Sequence, residues 1–510
     1  MSYSSIIREN SQMRNYEGEK AYKMPAELEL YSTAVTSILS DTFYQSRDNR
    51  LEQISNLVKK VDPIFVAQLA VYMREKMNLR SLPLYLIVEL AKVHNGDDLV
   101  CKTINRVVMR ADEIMELLAC YQMKNANKDD VKKLNKLSRQ VQNGLKLAFN
   151  KFDEYQFAKY NRSNLEVTLK DALFLIHPKA KDEHQQLLFD KIASDSLDVP
   201  YTWETELSKL GQTKFESIDS KIEAKRNCWS KLVKEKKLGY MAMLRNLRNM
   251  LSVNVDLETL NTVYDTLSSE HAVLQSKQLP FRFLSAYKEI KDLVLTENKF
   301  IIEALENAVA YSAKNIKYFN EDESVLLACD VSGSMQSCIS AKSSIEYYDI
   351  GLLLASVLKT KCKNVITGLF GDTWLPLKDK KRSSLHILKN TIEMYKYANE
   401  VGYSTNGYKV IRWLLKENIK MDKIMFFTDM QMWDSHYCDE SIEKSWKLYK
   451  QRFPNAKLYL FDLAGYGQLP LRTQKNDVFI IAGWSDKIFD MLEAYEKGND
   501  ALEIIKKIEI

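Results

Sequence analysis

The chain has 510 residues, a formal net charge of +5, and 28% charged and 45% apolar residues. That composition is typical of a soluble globular protein, and the length predicts two or more domains. Glycine and proline are scarce, with 15 and 9 residues, so long helices are favoured over tight turns.

The cysteine pattern and the apolar stretches exclude several protein classes. Seven cysteines lie apart, with no C-x-x-C pair. This disfavours a disulfide framework and a structural zinc site, and it indicates a reducing compartment. The N-terminus lacks the apolar core of a signal peptide, and no stretch reaches the 18 or more apolar residues of a spanning helix. We therefore expect a cytoplasmic protein without a membrane partner.

From about residue 25 to residue 318 the apolar pattern is helical. Residues 95–98, Asn-Gly-Asp-Asp, are one of the short polar breaks that offer N-caps between helices. Segments of this length with short connections predict antiparallel helix pairs stacked as a repeat. The predicted helices with apolar residues at helical spacing include 51–60, 63–76, 82–93, 99–109 and 111–123.

The excess positive charge lies in this helical part. Residues 321–510 hold 26 basic and 26 acidic side chains, so the whole excess precedes residue 321. Eight lysines and arginines fall in residues 124–151 and nine in residues 221–248. Clustered basic residues on a helical scaffold indicate binding to a phosphate backbone, although such runs are also ordinary solvated helix faces.

Near residue 320 the pattern changes to short apolar strands that alternate with helices. The alternation predicts a parallel sheet covered on both faces, a doubly wound, Rossmann-like α/β domain. We therefore predict two domains, 1–320 and 321–510. The predicted strands are 324–330, 365–370, 423–428, 457–462 and 478–482. The predicted helices are 347–360, 384–395, 408–416, 442–453 and 486–497.

Oxygen-bearing side chains gather at the carboxyl ends of these strands, where parallel sheets bind ligands. Asp330, Ser332 and Ser334 form a D-x-S-x-S loop after the first strand, Thr405 lies in a second loop, and Asp429 ends a later strand. Oxygen ligands suit a hard divalent cation such as Mg²⁺. The D-x-S-x-S loop alone could be a turn with a serine N-cap, but the two further oxygen donors favour a metal site.

This set resembles the metal-ion-dependent adhesion site of von Willebrand factor A domains, over residues 323–510. In that family the first-loop residues and the threonine hold the cation directly, while the late aspartate often acts through water. Many relatives have Gly-Gly-Thr-Asp where residues 403–406 read Tyr-Ser-Thr-Asn, so we expect weaker affinity or a reshaped loop. The resemblance implies that the bound cation has an open coordination position, which would accept an acidic residue of a protein ligand or a phosphate. It assigns the ligand roles to Asp330, Ser332, Ser334, Thr405 and Asp429.

Nothing in this constellation indicates catalysis. The serines have no histidine near them in sequence; His436 is the only histidine candidate for a base, and no second carboxylate cluster accompanies the loop. We therefore expect that the protein is not an enzyme, with a metal-dependent hydrolase as the disfavoured alternative.

Three segments of the helical part resemble the TROVE module of the Ro autoantigen family and its bacterial or phage-type relatives. They are residues 171–179 (DALFLIHPK), 239–249 (GYMAMLRNLRN) and 279–287 (LPFRFLSAY). In that family, too, a ring of helical repeats precedes a von Willebrand A domain. The similarity runs from about residue 60 to the C-terminus and is patchy before that.

The resemblance implies an all-α, HEAT-like helical-repeat ring with two RNA-binding regions. Its outer basic surface would bind small noncoding, Y-like RNA, and its central hole would take single-stranded 3′ ends of misfolded RNA. In bacterial relatives a Y RNA can tether an exoribonuclease, so a nuclease partner is a further expectation. The residues that match are Lys146, Lys159, Arg162, His177 and Lys179 for the outer surface, and Arg245 towards the hole.

Each of these residues also has an ordinary structural explanation. The lysines and arginines could be solvated charges, and His177 could simply end a helix before Pro178. The rival function is a metal-dependent protein-interaction scaffold with no RNA role. Weak binding with little salt dependence would favour that rival, since phosphate contacts give a steep fall with salt.

Overall fold

The computed structural model describes residues 12–37, 45–125, 136–162, 165–293, 298–314, 322–340, 343–377, 386–433, 440–472, 477–484, 487–496 and 501–510. The chain forms two compact units. One consists of residues 52–238 with 503–510, called the helical unit below. The other consists of residues 1–51 with 239–502, called the α/β unit. The domain boundary expected near residue 320 stays a prediction.

The first part of the chain, up to residue 314, is helical after a short β-hairpin. The hairpin strands are β1 (Gln12–Arg14) and β2 (Lys20–Lys23). The helices are α1 (Ala26–Val35), α2 (Arg47–Val58), α3 (Pro63–Glu75), α4 (Ser81–Val93), α5 (Leu99–Val107), α6 (Ala111–Asn125), α7 (Arg139–Phe149), α8 (Glu154–Tyr160), α9 (Leu169–Ile176), α10 (Glu183–Ala193), α11 (Trp203–Gln212), α12 (Ile218–Lys234), α13 (Tyr240–Arg245), α14 (Leu247–Ser252), α15 (Leu257–Leu267), α16 (Glu270–Ser276), α17 (Pro280–Ile290) and α18 (Asn298–Ser312).

Side-chain caps fix where many of these helices begin. The Asp153 and Thr168 side chains accept hydrogen bonds from the third backbone N–H of α8 and α9, and a side chain in each first turn bonds back. Such capping boxes satisfy N–H groups that the helix itself leaves open. In the polar break before α5, Asp98 occupies the N-cap position without a side-chain cap bond, while Asp97 accepts from the Leu99 N–H at 2.9 Å.

The helical unit has the neighbour pattern of a helical repeat. Between α3 and α9, each helix packs against the next helix but one. The pairs are α3 with α5, α4 with α6, α5 with α7, α6 with α8, and α7 with α9. Sequential neighbours such as α3 and α4 also pack together. This pattern confirms the predicted stacking of helix pairs. None of the described helices is long and apolar enough to cross a membrane.

The α/β part of the chain begins at residue 324. Its strands are β3 (Ser324–Asp330), β4 (Asn364–Phe370), β5 (Trp374–Leu377), β6 (Lys423–Thr428), β7 (Lys457–Asp462), β8 (Gln468–Leu469) and β9 (Val478–Ala482). Its helices are α19 (Tyr347–Lys359), α20 (Ile387–Tyr395), α21 (Tyr408–Lys416), α22 (Ile442–Arg452), α23 (Ile488–Glu496) and α24 (Ala501–Lys506). All five predicted strands are present within one residue of their predicted ends.

The main sheet has the strand order β5-β4-β3-β6-β7-β9. Strands β4, β3, β6, β7 and β9 pair in parallel, as predicted, and their carboxyl ends therefore share one edge. The edge strand β5 was not predicted and pairs antiparallel to β4. Its four residues include Pro376, which lacks the N–H of a ladder bond and is tolerated at an edge.

The N-terminal hairpin belongs to the α/β unit and departs from a purely helical N-terminal region. Strand β2 pairs with β8, with Tyr22 opposite Leu469. The turn between β1 and β2 contacts the segment after β6, where the Asn15 side-chain amide donates to the Met432 carbonyl at 2.8 Å. The hairpin and β8 thus form a second, three-stranded sheet, which contacts the segment that follows β6.

Candidate metal centre and RNA-binding surfaces

The D-x-S-x-S loop begins where β3 ends. Asp330 is 1% exposed and accepts two hydrogen bonds, from the Ser332 N–H at 3.0 Å and from the Thr428 hydroxyl at 2.6 Å. Ser332 and Ser334 are buried, with their hydroxyl oxygens 3.4 Å apart. The backbone turn and the two bonds to Asp330 therefore direct three oxygen-bearing side chains into one buried place.

Backbone hydrogen bonds connect this loop to the loop that carries Thr405. The Gly333 N–H donates to the Tyr403 carbonyl at 2.9 Å, and the Asn406 N–H donates to the Gly371 carbonyl at 3.0 Å. The Thr405 carbonyl in turn accepts from the Trp433 N–H at 2.9 Å. Thr405 is 3% exposed, so it lies inside a set of loops that follow β3, β4 and β6.

Asp429 supplies a second buried carboxylate at this edge. It is 1% exposed; its Oδ1 accepts from the Gln431 N–H at 3.0 Å, and its Oδ2 has no hydrogen-bond partner among the described residues. Burial, followed by the charge of Asp330, raises the pKa of Asp429, and burial also raises the pKa of Asp330. Two buried carboxylates, one with an unpartnered oxygen, together with buried hydroxyls fit the donor set of a hard divalent cation.

Two side chains that the sequence analysis did not single out shape this site. The Thr428 hydroxyl holds Asp330, as given above. Asp372 accepts from the Ser404 N–H at 2.9 Å, and its carbonyl accepts from the Asn406 amide at 3.2 Å. The hydrogen bond with the Ser404 hydroxyl, followed by that with the Ser404 N–H, lowers the pKa of Asp372. The loop that contains Asn406 is thus held by Asp372 of the neighbouring loop.

A third buried aspartate lies at the end of the next strand. Asp462 accepts from the Ala464 N–H at 3.1 Å, from the Gly465 N–H at 2.8 Å and from the Ser32 hydroxyl. Burial raises the pKa of Asp462, while these bonds and the positive charge of Arg50 oppose the shift. Arg50 is 2% exposed and donates to the Ala464 carbonyl. Asp462 is therefore satisfied by the protein itself, unlike Asp429.

In the helical unit, α7 and the segment after α9 bring three of the predicted RNA-binding residues together. The Gln142 amide donates to the Ile176 carbonyl at 3.2 Å, and the Asn150 amide donates to the Lys179 carbonyl at 3.3 Å. Lys146 lies midway between Gln142 and Asn150, on the same face of α7. We call Lys146, His177 and Lys179 the His177 surface; His177 and Lys179 are exposed and Lys146 is half-buried.

Lys159 and Arg162 lie around the end of α8, where both are exposed. The Lys159 ammonium is 5.9 Å from the Tyr155 ring centroid and 5.8 Å from that of Tyr160. The Arg110 guanidinium also lies over the Tyr160 ring, 4.6 Å from its centroid. We call Lys159, Arg162 and Arg110 the Tyr160 surface.

Arg110 is a basic residue that the sequence analysis missed. Both Arg110 and Arg80 donate to the Asp112 carboxylate, with Arg110 at 2.9 Å and 3.0 Å and Arg80 at 2.8 Å. Their guanidinium groups are therefore held in place at the surface, which reduces the entropy lost when they bind an anion. No local pattern marks them, because the sequence places both outside the two basic runs.

The remaining predicted RNA-binding residue lies in the other unit. Arg245 is exposed at the end of α13. The burial of Arg282, followed by the positive charge of Arg245, lowers the pKa of Arg282. The neighbouring Arg248 is paired with Glu289 at 2.9 Å. Of the first basic run, Lys128, Lys132 and Lys133 lie outside the described residues, as does His436.

Comparison with known families accounts for both parts of the chain. Residues 30–201 and 195–327 match the TROVE domain, which is more than half of the chain, and residues 324–495 match the Ro60 vWA domain. The chain belongs to the Ro family. This membership confirms the resemblance predicted from the sequence and supports an RNA-binding protein of the Ro type.

Individual relatives are distant. The crystal structure of the Deinococcus radiodurans RO (RSR) protein matches with a TM-score of 0.57 and 17% identity, over 93% of this chain and 99% of that one, which shows a shared fold. Telomerase protein component 1 of Mus musculus is 25% identical over 318 residues, and that of Rattus norvegicus is 22% identical over 320. This chain spans only 12% of the length of either telomerase component.

Proposed function

We propose that this protein binds small structured noncoding RNA of the Y-like type through the basic surfaces of its helical unit. Single-stranded 3′ ends of misfolded RNA are proposed as a second class of ligand. The observation that supports the proposal most is the way Gln142 and Asn150 hold the segment from Ile176 to Lys179 beside Lys146. A fixed backbone that presents basic side chains to solvent is suited to contacts with phosphates.

The two surfaces differ in how their charges are held. On the His177 surface, Lys146 has no ion-pair partner among the described residues, so its charge is available to a phosphate. On the Tyr160 surface, Lys159 and Arg110 lie against an aromatic ring and Asp112 orients Arg110. Ion-pair formation with RNA phosphates releases counterions, so binding at both surfaces is expected to weaken steeply with salt.

The first prediction concerns a variant in which Lys146, Lys159, Arg162 and His177 are all changed to alanine. We expect it to bind a structured small RNA about a hundredfold more weakly than the wild type at moderate salt, because several charge-assisted contacts are lost. The slope of log affinity against log salt should become shallower by about two to three. A fluorescence-anisotropy titration at several salt concentrations, with RNA that carries or lacks a single-stranded 3′ tail, measures both quantities.

A matched variant controls for the loss of positive charge in general. It replaces four exposed lysines of the α/β unit with alanine, and we expect it to keep nearly wild-type affinity. Equal binding by the wild type and the first variant would show that these two surfaces are not the RNA site. The four control positions are Lys416, Lys420, Lys444 and Lys447.

We further propose that the α/β unit holds one divalent cation, with Mg²⁺ as the preferred ion. Asp330, Ser332, Ser334 and Thr405 would supply oxygen ligands directly, and Asp429 directly or through water. The unpartnered Oδ2 of Asp429 supports this assignment, because a buried carboxylate oxygen without a partner is costly unless a cation compensates it. The bound ion would act as a Lewis acid with an open position for an anionic oxygen.

A second prediction tests the hydrogen bond that holds Asp330. At nearly constant volume, replacing Thr428 with valine removes the 2.6 Å bond to Asp330 and the 3.2 Å bond that the hydroxyl accepts from the Met430 N–H. We expect Mg²⁺ affinity to fall about tenfold, as when other groups that orient metal ligands are removed. Isothermal titration calorimetry on protein stripped of metal with a chelator measures the affinity. Thr367→Val is the control, since the Thr367 hydroxyl is buried without a partner among the described residues; unchanged affinity in Thr428→Val would contradict the assigned role.

The rival function, a metal-dependent protein scaffold, draws support from one feature near the proposed ion. Tyr403, whose carbonyl joins the two metal loops, is 59% exposed, so an aromatic side chain flanks the loop that carries Thr405. An acidic protein ligand could use both the cation and this ring. Absence of RNA binding at low salt, with Mg²⁺ binding intact, would favour this function.

A further inference from the structure

Phe174 is an aromatic side chain that lies outside the core of the helical unit. It lies on α9 and is 54% exposed, whereas Leu169, Leu173 and Ile176 of the same helix are buried. A single exposed apolar residue is ordinary on a protein surface. The groups near Phe174 on α9 and at its end suggest a function for this exposed ring.

His177 lies three residues further on, at the end of α9, and is also exposed. His177 has a left-handed backbone, with φ 50° and ψ 59°, and its N–H donates to the Leu173 carbonyl at 3.0 Å. A side chain with a Cβ is tolerated there at a cost of about 1 kcal/mol, and the result is that two ring side chains share one end of a short helix.

The backbone that carries these rings is held in place. The bonds from Gln142 to Ile176 and from Asn150 to Lys179 tie the segment to α7 on both sides of His177. The Lys181 side chain adds a bond to the Asn150 carbonyl. The rings are therefore presented from a supported segment, which lowers the ordering entropy that binding must overcome.

Basic side chains accompany the two rings on α9 and on the His177 surface. Lys146 and Lys179 belong to the His177 surface, and Lys170 lies one turn before Phe174 on α9, paired with the exposed Asp195 at 3.2 Å. Aromatic rings between basic side chains are the arrangement with which proteins hold unpaired nucleotides, whose bases stack on the rings while the cations contact the phosphates. A continuous duplex keeps its base faces stacked on one another and offers none to a protein ring.

We propose that Phe174 and His177 form a stacking platform for an unpaired nucleotide. This inference rests on the proposed RNA-binding function and deepens it. The His177 surface thereby selects a loop, bulge or tail of the RNA rather than a regular helix. Phe174 supplies the uncharged stacking contact, and the flanking lysines supply the phosphate contacts.

The test compares Phe174→Ala and Phe174→Trp with the wild type on three RNA probes. The probes share one hairpin stem; one is blunt, one carries a single-stranded uridine tail, and one carries the same tail with its bases removed. We expect Phe174→Ala to bind the uridine-tailed probe about fivefold to a hundredfold more weakly, with an unchanged salt slope because phenylalanine carries no charge. Phe174→Trp should keep the affinity.

The probe without bases makes the test specific for stacking. The wild type should bind it at least as weakly as Phe174→Ala binds the uridine-tailed probe, because the contacts with both rings are lost, and Phe174→Ala should bind it about as well as the wild type does. Leu187→Ala, which removes a 63% exposed apolar side chain from α10, is the control and should match the wild type on every probe.

Two results would overturn the inference in different ways. If the wild type binds the probes and Phe174→Ala binds them equally well, or weakens equally on the blunt hairpin, stacking by Phe174 is wrong while RNA binding stands. If the wild type binds none of the probes at low salt, the RNA-binding function itself is wrong, and the stacking platform with it.

Discussion

Replacing Asp429 with asparagine is expected to make the metal-free protein more stable and to abolish its stabilisation by Mg²⁺. Asp429 is buried beside Asp330 with one oxygen unpartnered, so without a cation the pair holds more negative charge than its surroundings compensate. Asparagine keeps an oxygen for the Gln431 N–H and removes one charge. We expect a gain of about 1–3 kcal/mol without metal, measured as the unfolding midpoint with and without Mg²⁺.

The gain should depend on pH with a definite sign. Burial and Asp330 raise the pKa of Asp429 above its value in the unfolded chain, so below about pH 4 the carboxyl is neutral in both states and the variant has no advantage. As the pH rises above that value, the unfolded chain loses the proton first, and the metal-free wild type becomes less stable. The difference between variant and wild type should therefore grow from about pH 4 towards neutrality.

Asp462→Asn is the matched control, because it changes a buried aspartate at the same edge of the sheet. Asp462 already accepts three hydrogen bonds and lies near the buried Arg50. Burial also raises the pKa of Asp462, but its hydrogen bonds and the charge of Arg50 oppose the shift, so asparagine there should stabilise the protein less than asparagine at residue 429. The effect should be the same with and without Mg²⁺. Destabilisation of metal-free Asp429→Asn would mean that Asp429 is a structural carboxylate and not a cation ligand.

The contrast between these aspartates shows how far the sequence could define the site. Asp330 and Asp429 were predicted because each follows a buried strand, and parallel strands bring their carboxyl ends to one edge. Asp462 also ends a buried strand, yet only the structure shows that Ser32 and Arg50 satisfy it, across more than 400 residues of chain. Position at a strand end is readable from sequence, whereas hydrogen-bond satisfaction depends on distant contacts.

The same distinction applies to the fold. The five parallel strands are continuous apolar runs because both faces of the sheet are covered, so each is visible in its own sequence. The β1–β2 hairpin gives no comparable signal, since part of its pairing comes from Gln468 and Leu469 near the other end of the chain. Strand β5 is short, half-exposed and contains a proline, a pattern that resembles a loop.

For the proposed RNA-binding residues, the sequence shows which side chains are charged but not which hydrogen bonds hold them in place. Lys146, His177 and Lys179 were chosen by position within a family pattern, and the structure adds the Gln142 and Asn150 bonds that place them side by side. Arg110 and Phe174 could not be chosen in this way. An arginine oriented by Asp112 and a phenylalanine left out of the core are defined by packing, which no local pattern reports.

Gly371→Ala is the substitution expected to disturb the proposed metal site most without touching a ligand. A Cβ at residue 371 would lie 2.2 Å from the Gly402 carbonyl oxygen and 2.8 Å from that of Val401. Both contacts are with backbone, so a side-chain rotation cannot relieve them, and the loop from Val401 to Asn406 must move. We expect destabilisation of about 3 kcal/mol and loss of at least about tenfold in Mg²⁺ affinity, because Thr405 moves with its loop.

The control for this change is Gly211→Ala, where an added Cβ meets nothing within 4 Å. Residue 211 lies in α11, so alanine there should stabilise the helix by about 0.5 kcal/mol and leave Mg²⁺ binding unchanged. Chemical denaturation and calorimetric Mg²⁺ titration on both variants separate the two effects. If Gly371→Ala lowers stability while Mg²⁺ affinity stays at the wild-type value, the ion is held without Thr405, and its ligands come from the Asp330 loop and Asp429 alone.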